Sequence, residues 1–284
     1  MINEKILKKL SVITDEEQRI INGEKDIDKS IYMEHDGNTV NCKKLLKDGR
    51  LITVRPNTRF VHFPEHSHDF VEMIYSCTGR TTHIINGNKI VLKQGELLML
   101  GQNARQEVLP AGIDDISVNF IILPEFFDNL FSIIGVEETP LKKFIIESLK
   151  DSGGNSGYLY FEVSDIVPVQ NLAENLIWTI IENIPNSRRI TTVTMALLFM
   201  QLTSYTNRLA YQTPDEIAIM QMLRYVDGNY RDGSLTELAK SLHYDFCWFS
   251  REIKKKTGKT YTQTVQEKRL SKACSLLADT DMNI

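Results

Sequence analysis

Residues 234–259 read SLTELAKSLHYDFCWFSREIKKKTGK, and this stretch decides the fold of the C-terminal part of the chain. The spacing of Ser234 and Glu237 is that of a capping box, in which each side chain bonds the backbone amide of the other residue. A helix is therefore predicted to start at Leu235. Its apolar face consists of Leu235, Leu238, Ala239 and Leu242.

A second helix is predicted directly after a turn at His243 and Tyr244. Asp245 is a good N-cap residue, and Gly258 is a typical residue just past a helix C-terminus. Between them, the sequence FCWFSREIKKKT places Phe249 and Ile253 on the face that we expect to be buried. Two short helices joined by a tight turn form a helix-turn-helix.

The second helix and its flank are strongly basic. The cationic residues are Arg251, Lys254, Lys255, Lys256 and Lys259. Such a cluster suits contact with phosphates of a nucleic acid. A solvated, lysine-rich helix end that matches the helix dipole explains the same residues equally well. Periodicity and charge alone leave both interpretations open.

The run from residue 234 to 284 resembles the first helix-turn-helix and the linker helix of AraC/XylS-type transcription regulators. The resemblance rests on the string SR..KKKTGK.....V...RL..A..LL. It implies that the partner is double-stranded DNA and that the second helix enters the major groove. The implied contact residues are Phe246, Cys247, Ser250, Arg251, Lys254 and Lys255. Arg251 is the strongest candidate, because arginine pairs bidentately with guanine.

Two features depart from the family pattern. Glu252 stands where these regulators usually have an apolar residue, which puts the local packing in doubt. Family members carry two helix-turn-helix units, so the resemblance implies that a second unit would follow Ile284. It further implies a homodimer and RNA polymerase as a potential partner.

Residues 31–123 are predicted to be all-β. Short runs of β-branched and aromatic residues, such as LITVRP and ISVNFIILP, alternate with turn residues, as in a sandwich or barrel. Asn86-Gly87 is typical of a two-residue type I′ hairpin turn. After Pro124 the periodicity becomes helical, and no further strand is expected. Helices are predicted over 124–135, 139–150, 169–183 and 191–211.

A cupin-like metal or ligand site is suggested by His66, His68 and Glu72, followed by Gly79. This spacing matches the first cupin motif, and residues two apart on a strand face the same side. The second motif is only partly present, with Gln106 where the family has its fourth ligand. His66, His68, Glu72 and Gln106 are therefore the metal ligands if a metal binds, although no cofactor is expected. The interpretation we favour is an effector pocket lined by His66, His68, Glu72, Tyr75 and His83.

These patterns predict an α+β protein with three parts. They are a cupin-like β-barrel sensor domain over residues 1–124, a helical linker or dimerisation layer over 125–213, and an all-α DNA-binding domain over 214–284. Residues 217–284 carry eleven basic and eight acidic side chains, whereas residues 1–216 carry 22 and 29. A basic C-terminal part joined to an acidic body is consistent with one end that meets a polyanion.

Composition excludes several classes of protein. No apolar run approaches the length that crosses a bilayer, and the N-terminus MINEKILKKL lacks the apolar core of a secretory signal. The four cysteines are scattered, without metal-site or disulfide spacing. We therefore expect a cytoplasmic protein without membrane association.

Three hypotheses follow. The leading one is a sequence-specific DNA-binding regulator, more often an activator in this family, whose activity responds to a small-molecule effector. The alternative is a metal-dependent cupin enzyme of the dioxygenase or isomerase type. The third is a binding module that acts only by forming dimers with a full-length partner.

Overall fold

The computed structural model describes residues 2–34, 37–47, 49–102, 104–127, 158–205, 208–210 and 214–279. The chain divides into two compact units. Unit 1 comprises Met1–Ile133 and Ser148–Ala210, and unit 2 comprises Ile134–Glu147 and Tyr211–Ile284. Each unit is described on its own. The three-part division of the chain stays a prediction.

Unit 1 contains the strands and six of the described helices. The strands are β1 (Thr39–Val40), β2 (Ile52–Pro56), β3 (Phe63–His68), β4 (Val71–Thr78), β5 (Arg80–Ile85), β6 (Asn88–Lys93), β7 (Leu97–Leu100), β8 (Gln106–Val108), β9 (Ile116–Ile122), β10 (Tyr158–Phe161) and β11 (Leu209–Ala210). The helices are α1 (Glu4–Leu10), α2 (Asp15–Ile21), α3 (Lys29–Tyr32), α4 (Cys42–Leu45), α5 (Val167–Glu182) and α6 (Ser187–Ser204).

The strands form two sheets. One has the order β1-β3-β8-β5-β6, and the other has the order β11-β10-β7-β4-β9-β2. The β1–β3 pair is parallel, and the other pairs are antiparallel. One apolar cluster joins Ile85 and Leu92 of the first sheet to Ile74 and Leu98 of the second. The two sheets therefore pack face to face.

The α+β class is confirmed, but the barrel is not. Within the described residues neither sheet closes on itself, since each has an order with two ends. The prediction that strands stop at Pro124 is wrong, because Tyr158–Phe161 pairs with β7 and then with β11. The strands β10 and β11 have four and two residues, which is too short for a clear alternating pattern.

The hairpin at Asn86-Gly87 is as predicted. Asn86 has φ 51° and Gly87 has φ 82°, the pair of positive values that a type I′ turn requires. The flanking residues Ile85 and Asn88 are paired across β5 and β6. The turn therefore fixes the register of this hairpin.

The helical predictions after Pro124 are partly met. Residues 124–127 are helical, whereas the rest of the predicted helix 124–135 and the whole of 139–150 lie outside the described residues. The predicted helix 169–183 corresponds to α5. The predicted helix 191–211 begins earlier and ends at Ser204, because Leu209–Ala210 pairs with β10 instead.

Unit 2 is helical in its described part. Its helices are α7 (Pro214–Asn229), α8 (Leu235–Ser241), α9 (Phe246–Thr257) and α10 (Tyr261–Asp279). The core of this unit includes Val226, Leu238, Phe249, Ile253 and Val265. In the described part of the chain, no helix combines the length and the hydropathy needed to cross a bilayer.

Candidate nucleic-acid interface and sensor cavity

Helices α8 and α9 form the predicted helix-turn-helix. Asp245 caps α9, since its side chain accepts a hydrogen bond from the Trp248 amide at 2.8 Å. His243 in the turn has φ 58°, and Gly258 ends α9 with φ 70°. Phe249 and Ile253 are fully buried, as predicted. The opposite face of α9 is therefore left for solvent or a partner.

The capping box at the start of α8 is not formed. Ser234 is the N-cap residue and has extended backbone, but its side chain makes no capping hydrogen bond. The Ser234 backbone amide instead donates a hydrogen bond to the hydroxyl oxygen of Tyr225, at 3.2 Å. A tertiary partner from α7 thus takes the place that the sequence pattern gave to Glu237.

The six predicted DNA-contact residues lie on α9. Phe246, Cys247, Arg251, Lys254 and Lys255 are exposed, and Ser250 is half-buried. Residues 247, 250, 251 and 254 recur at spacings of three and four, so they share one helix face. These spacings bring a guanidinium, an ammonium and two small polar groups onto one surface.

The two cations of this face, Arg251 and Lys254, have no carboxylate partner among the described residues. Arg251 Nε donates to the Cys247 carbonyl at 3.1 Å, and its two terminal nitrogens make no hydrogen bond with the described residues. Lys254 forms no ion pair with them either, whereas Lys255 Nζ lies 3.2 Å from Glu252. Glu252, the departure from the family pattern, is half-buried and holds Lys255 rather than disturbing the core.

Trp248 packs inside the unit. Its ring centroid lies 5.2 Å from that of Tyr244 and 6.3 Å from that of Phe249. Phe246 is 46% exposed and remains accessible. Of these two aromatic residues, Phe246 is therefore the more accessible to a thymine methyl.

The histidines of unit 1 surround a small cavity between the two sheets, which we call the sheet cavity. Its volume is about 30 Å³, and its polar lining includes Asn57, His66, His68, Glu72, Gln106 and Asn119. This is room for water-sized groups. His66, His68, Glu72 and Gln106 are thus brought together, as the cupin motif predicted.

Tyr75 does not belong to this group. Successive residues of a strand point to opposite faces, so Tyr75 points away from Glu72. Its hydroxyl donates to Gln170 Oε1 of α5 at 2.7 Å. Tyr75 therefore does not line the sheet cavity, and its assignment to the predicted pocket is wrong. His83 stays adjacent to the cavity through Gln106, whose Nε2 lies 3.1 Å from His83 Nδ1.

Hydrogen bonds to neighbouring groups fix the tautomers of His66 and His83. His66 Nδ1 lies 2.8 Å from the Pro64 carbonyl, so this nitrogen carries the proton and donates. Gln106 Nε2 donates to His83 Nδ1, so His83 Nε2 donates to Thr81 Oγ1 at 2.9 Å. Both imidazoles are neutral in this arrangement. Burial agrees, because it lowers the pKa of His66 to about 4 and that of His83 to about 3.

Glu72 and His68 face each other deep in the cavity. Glu72 Oε1 accepts from Asn119 Nδ2 at 3.0 Å, and Glu72 Oε2 lies 3.7 Å from His68 Nε2. Burial raises the pKa of Glu72 to about 7, against the opposing effects of Gln106, Arg55 and Asn119. Burial also holds the pKa of His68 well below its usual range. Both groups therefore favour their neutral forms.

Several polar atoms around the sheet cavity are unsatisfied. The buried atoms without a hydrogen-bond partner among the described residues are Asn57 Nδ2, His68 Nδ1, Glu72 Oε2, Gln106 Oε1 and Asn119 Oδ1. Such atoms are rare in native proteins, and ordered water or a ligand usually satisfies them. Their concentration around one cavity indicates a polar occupant.

The conditional metal ligands His66, His68, Glu72 and Gln106 stay a prediction. His66 Nδ1 donates to the Pro64 carbonyl, which leaves Nε2 as the remaining ring nitrogen, whereas both ring nitrogens of His83 are engaged with protein groups. In the described ranges, no three His, Cys, Asp or Glu side chains are placed to hold a metal.

Sequence reasoning missed Asn57 and Asn119. Asn119 interrupts the apolar run ISVNFII, and a polar residue within a buried strand is a signal that could have marked it. Asn57 follows β2 directly and carries no comparable signal.

No protein-family model matches the chain, and no curated protein matches it. Among solved structures, it is similar to ToxT from Vibrio cholerae, with 14% identity, TM-score 0.35, and 80% of this chain and 81% of that chain covered. It is also similar to the AraC-like transcriptional activator CuxR, with 14% identity, TM-score 0.28, and 75% and 74% covered. A cupin protein from Bacteroides fragilis shows 20% identity and TM-score 0.22, with 25% of this chain and 64% of that chain covered.

The solved structures that the chain is similar to thus include an AraC-like activator and a cupin protein.

Proposed function

We propose that the protein is a sequence-specific DNA-binding transcription regulator of the AraC type that acts as an activator. The observation that carries this proposal is the exposed face of α9, where Arg251 and Lys254 lie beside Cys247 and Ser250 without carboxylate partners among the described residues. A short helix of this shape fits the major groove, and its cations meet both base edges and phosphates.

Arg251 and Lys254 have different roles in this proposal. Arginine specifies a base through a bidentate contact to guanine, whereas lysine near the backbone lowers the free energy of binding for every sequence. Replacing Arg251 and replacing Lys254 should therefore separate base recognition from electrostatic attraction to the DNA backbone. A solvated helix end that binds nothing would show neither effect.

The test is selection of a preferred site from a pool of random duplex DNA, followed by titration at two salt concentrations. Arg251→Ala should weaken the selected site by about 1–3 kcal/mol and leave random DNA nearly unaffected. Lys254→Ala should weaken both alike and reduce the salt slope by about one. Arg80→Ala, which removes a charge from an exposed strand position in unit 1, is the matched control.

The proposal fails if no sequence is enriched, or if Arg251→Ala weakens selected and random DNA by the same factor. In the second case α9 contributes charge but does not read bases. Phe246, Cys247 and Ser250 would then lose their assignment as well.

We further propose that the sheet cavity is the effector site, lined by His66, His68 and Glu72 with His83 behind Gln106. The unsatisfied polar atoms around it support this assignment. Because the cavity holds only about 30 Å³, a ligand larger than a few atoms has to displace side chains. A thermal-shift screen of small polar metabolites, repeated on Glu72→Gln, tests it, and a hit that this variant does not weaken counts against the site.

Self-association through α6 completes the proposal. Val193, Leu197 and Met200 are each at least 40% exposed and recur at spacings of four and three, so they form an apolar stripe. A homodimer would bury this stripe and would hold two DNA-binding units together. Leu197→Lys should shift sedimentation toward the monomer, whereas Thr192→Lys beside the stripe should not. A chain that is monomeric before any substitution contradicts the dimer.

A further inference from the structure

A second and much larger cavity lies elsewhere in unit 1, where α5 ends and α6 begins. Its volume is about 700 Å³, within the range of small-molecule sites. The apolar part of its lining consists of Leu51, Ile52, Phe126, Ile180 and Val193. We call it the arginine cavity, because three arginines also line it.

Arg50, Arg188 and Arg189 contribute three positive charges that no anionic side chain among the described residues compensates. Arg50 Nη2 donates to Asn183 Oδ1 at 2.8 Å, and Arg188 Nη2 donates to the Gly49 carbonyl at 2.8 Å. These acceptors are neutral. Arg189 makes no hydrogen bond with the described residues, and none of the three forms an ion pair with them.

The start of α6 adds to the positive potential. Asn186, its N-cap residue, has φ 62° and makes no capping hydrogen bond with its side chain. The first turn contains no acidic residue and does contain Arg188 and Arg189. Cations at the positive end of a helix are unfavourable, whereas an anion bound there is stabilised by the amides and the dipole.

We infer that the arginine cavity binds an organic anion with a carboxylate or phosphate head group and an apolar body. Guanidinium groups pair with both head groups through parallel hydrogen bonds. The apolar lining removes the body of the ligand from water. This site is separate from the sheet cavity and does not depend on the proposed DNA-binding function.

The experiment is isothermal titration of the full chain with three probes: octanoate, 1-octanol and acetate. Octanoate presents both features, 1-octanol lacks the charge, and acetate lacks the apolar body. Octanoate should bind at one site per chain and roughly tenfold more tightly than 1-octanol, as a charged hydrogen bond predicts. Each buried methylene is worth about a fourfold gain, so acetate should bind far more weakly.

Substitutions locate the binding site. Arg189→Gln should weaken octanoate about tenfold and leave 1-octanol unchanged, because only the head group loses its partner. Arg188→Gln combined with Arg189→Gln should weaken octanoate further. Arg80→Gln removes an exposed arginine outside the cavity and serves as the matched control.

Four results overturn the inference. The first is the absence of octanoate binding at millimolar concentration, and the second is equal affinity for octanoate and 1-octanol. The third is an octanoate affinity that the double arginine variant does not change. The fourth is loss of octanoate binding in Glu72→Gln, which would place the ligand in the sheet cavity. Loss of DNA binding alone affects only the proposed function, since this titration contains no DNA.

Discussion

Glu72→Gln should change how the stability of unit 1 depends on pH. Glu72 is 4% exposed, and burial raises the pKa of its carboxyl to about 7 from an ordinary value of 4.5. A carboxyl whose pKa is raised in the folded state is held in its protonated form there. Its stabilising contribution is complete below the unfolded pKa and is lost as pH rises through the folded pKa.

The ordinary pKa of 4.5 and the folded-state pKa of about 7 determine the pH range and the size of the change in stability. A difference of about 2.5 units corresponds to about 3 kcal/mol, lost between roughly pH 4.5 and 7. Glutamine is neutral throughout this range. The free energy of unfolding of the wild type, minus that of Glu72→Gln, should therefore fall by about 3 kcal/mol from pH 4.5 to pH 8.

Taking the difference in unfolding free energy between wild type and Glu72→Gln removes the pH dependence that other titratable groups contribute. The buried histidines destabilise the fold as pH falls, because their pKa values are lowered and their protonation favours the unfolded chain. This effect is present in both proteins and cancels in the difference. Asn119 Oδ1 has no partner among the described residues, so the Asn119 amide is free to turn and accept from the new amide.

The assay is urea unfolding at several pH values, followed by tryptophan fluorescence. Because unit 2 contains Trp248, both proteins also carry Trp248→Phe, so that Trp178 on α5 reports unit 1 alone. Glu65→Gln, at an exposed glutamate of β3, is the control and should leave the pH dependence close to that of the wild type.

A pH-independent difference between wild type and Glu72→Gln would refute the reasoning, since it would mean that burial does not disfavour the carboxylate. A difference that grows with pH would show the opposite sign. It would indicate that Glu72 is ionised in the fold and paired with a protonated His68, 3.7 Å away.

Three further substitutions test the packing. Phe249→Ala removes a fully buried ring from unit 2 and should cost about 3–5 kcal/mol, measured by urea unfolding; a loss below about 1 kcal/mol would contradict the core assignment. Gly233→Ala would place a methyl 2.6 Å from the Asn229 carbonyl and should lower stability by about 1–3 kcal/mol, and an unchanged melting temperature would disprove this contact. Arg59→Met removes the guanidinium hydrogen bonds to Glu17 at 2.7 and 2.9 Å and leaves this buried carboxylate without its ion-pair partner. The free energy of unfolding at neutral pH should fall by about 3–5 kcal/mol. A loss of stability that disappears in high salt would mean that the pair is exposed.

Local patterns predicted the elements that local interactions determine. The Asn86-Gly87 turn, the Asp245 cap and the Gly258 stop each depend on one or two neighbouring residues, and each is present. His66 and His68 share a parity on β3, as the pattern predicted, whereas Glu72 lies on β4 of the other sheet, and the packing of the two sheets brings the three residues to one cavity. Sequence periodicity suffices where the cause lies within a few residues.

Contacts between distant residues could not be predicted in this way. The Tyr225 hydroxyl replaces the capping box at Ser234, and Gln170 draws Tyr75 away from the histidines. The short strand β10 exists because β7 offers it an unpaired edge, not because its four residues alternate. In each case a tertiary partner outweighs the local preference.

The two cavities of unit 1 differ in physical character, and this difference separates their ligands. The sheet cavity is small and is lined by the buried groups His66, His68 and Glu72, whose neutral forms are favoured, together with Arg55, so its occupancy should respond to pH more than to salt. The arginine cavity is lined by exposed Arg188 and Arg189, and a guanidinium group is permanently charged in proteins. Ionic screening weakens such exposed charges. A ligand whose affinity falls with added salt but is constant from pH 5 to 8 therefore belongs to the arginine cavity, and the reverse behaviour assigns it to the sheet cavity.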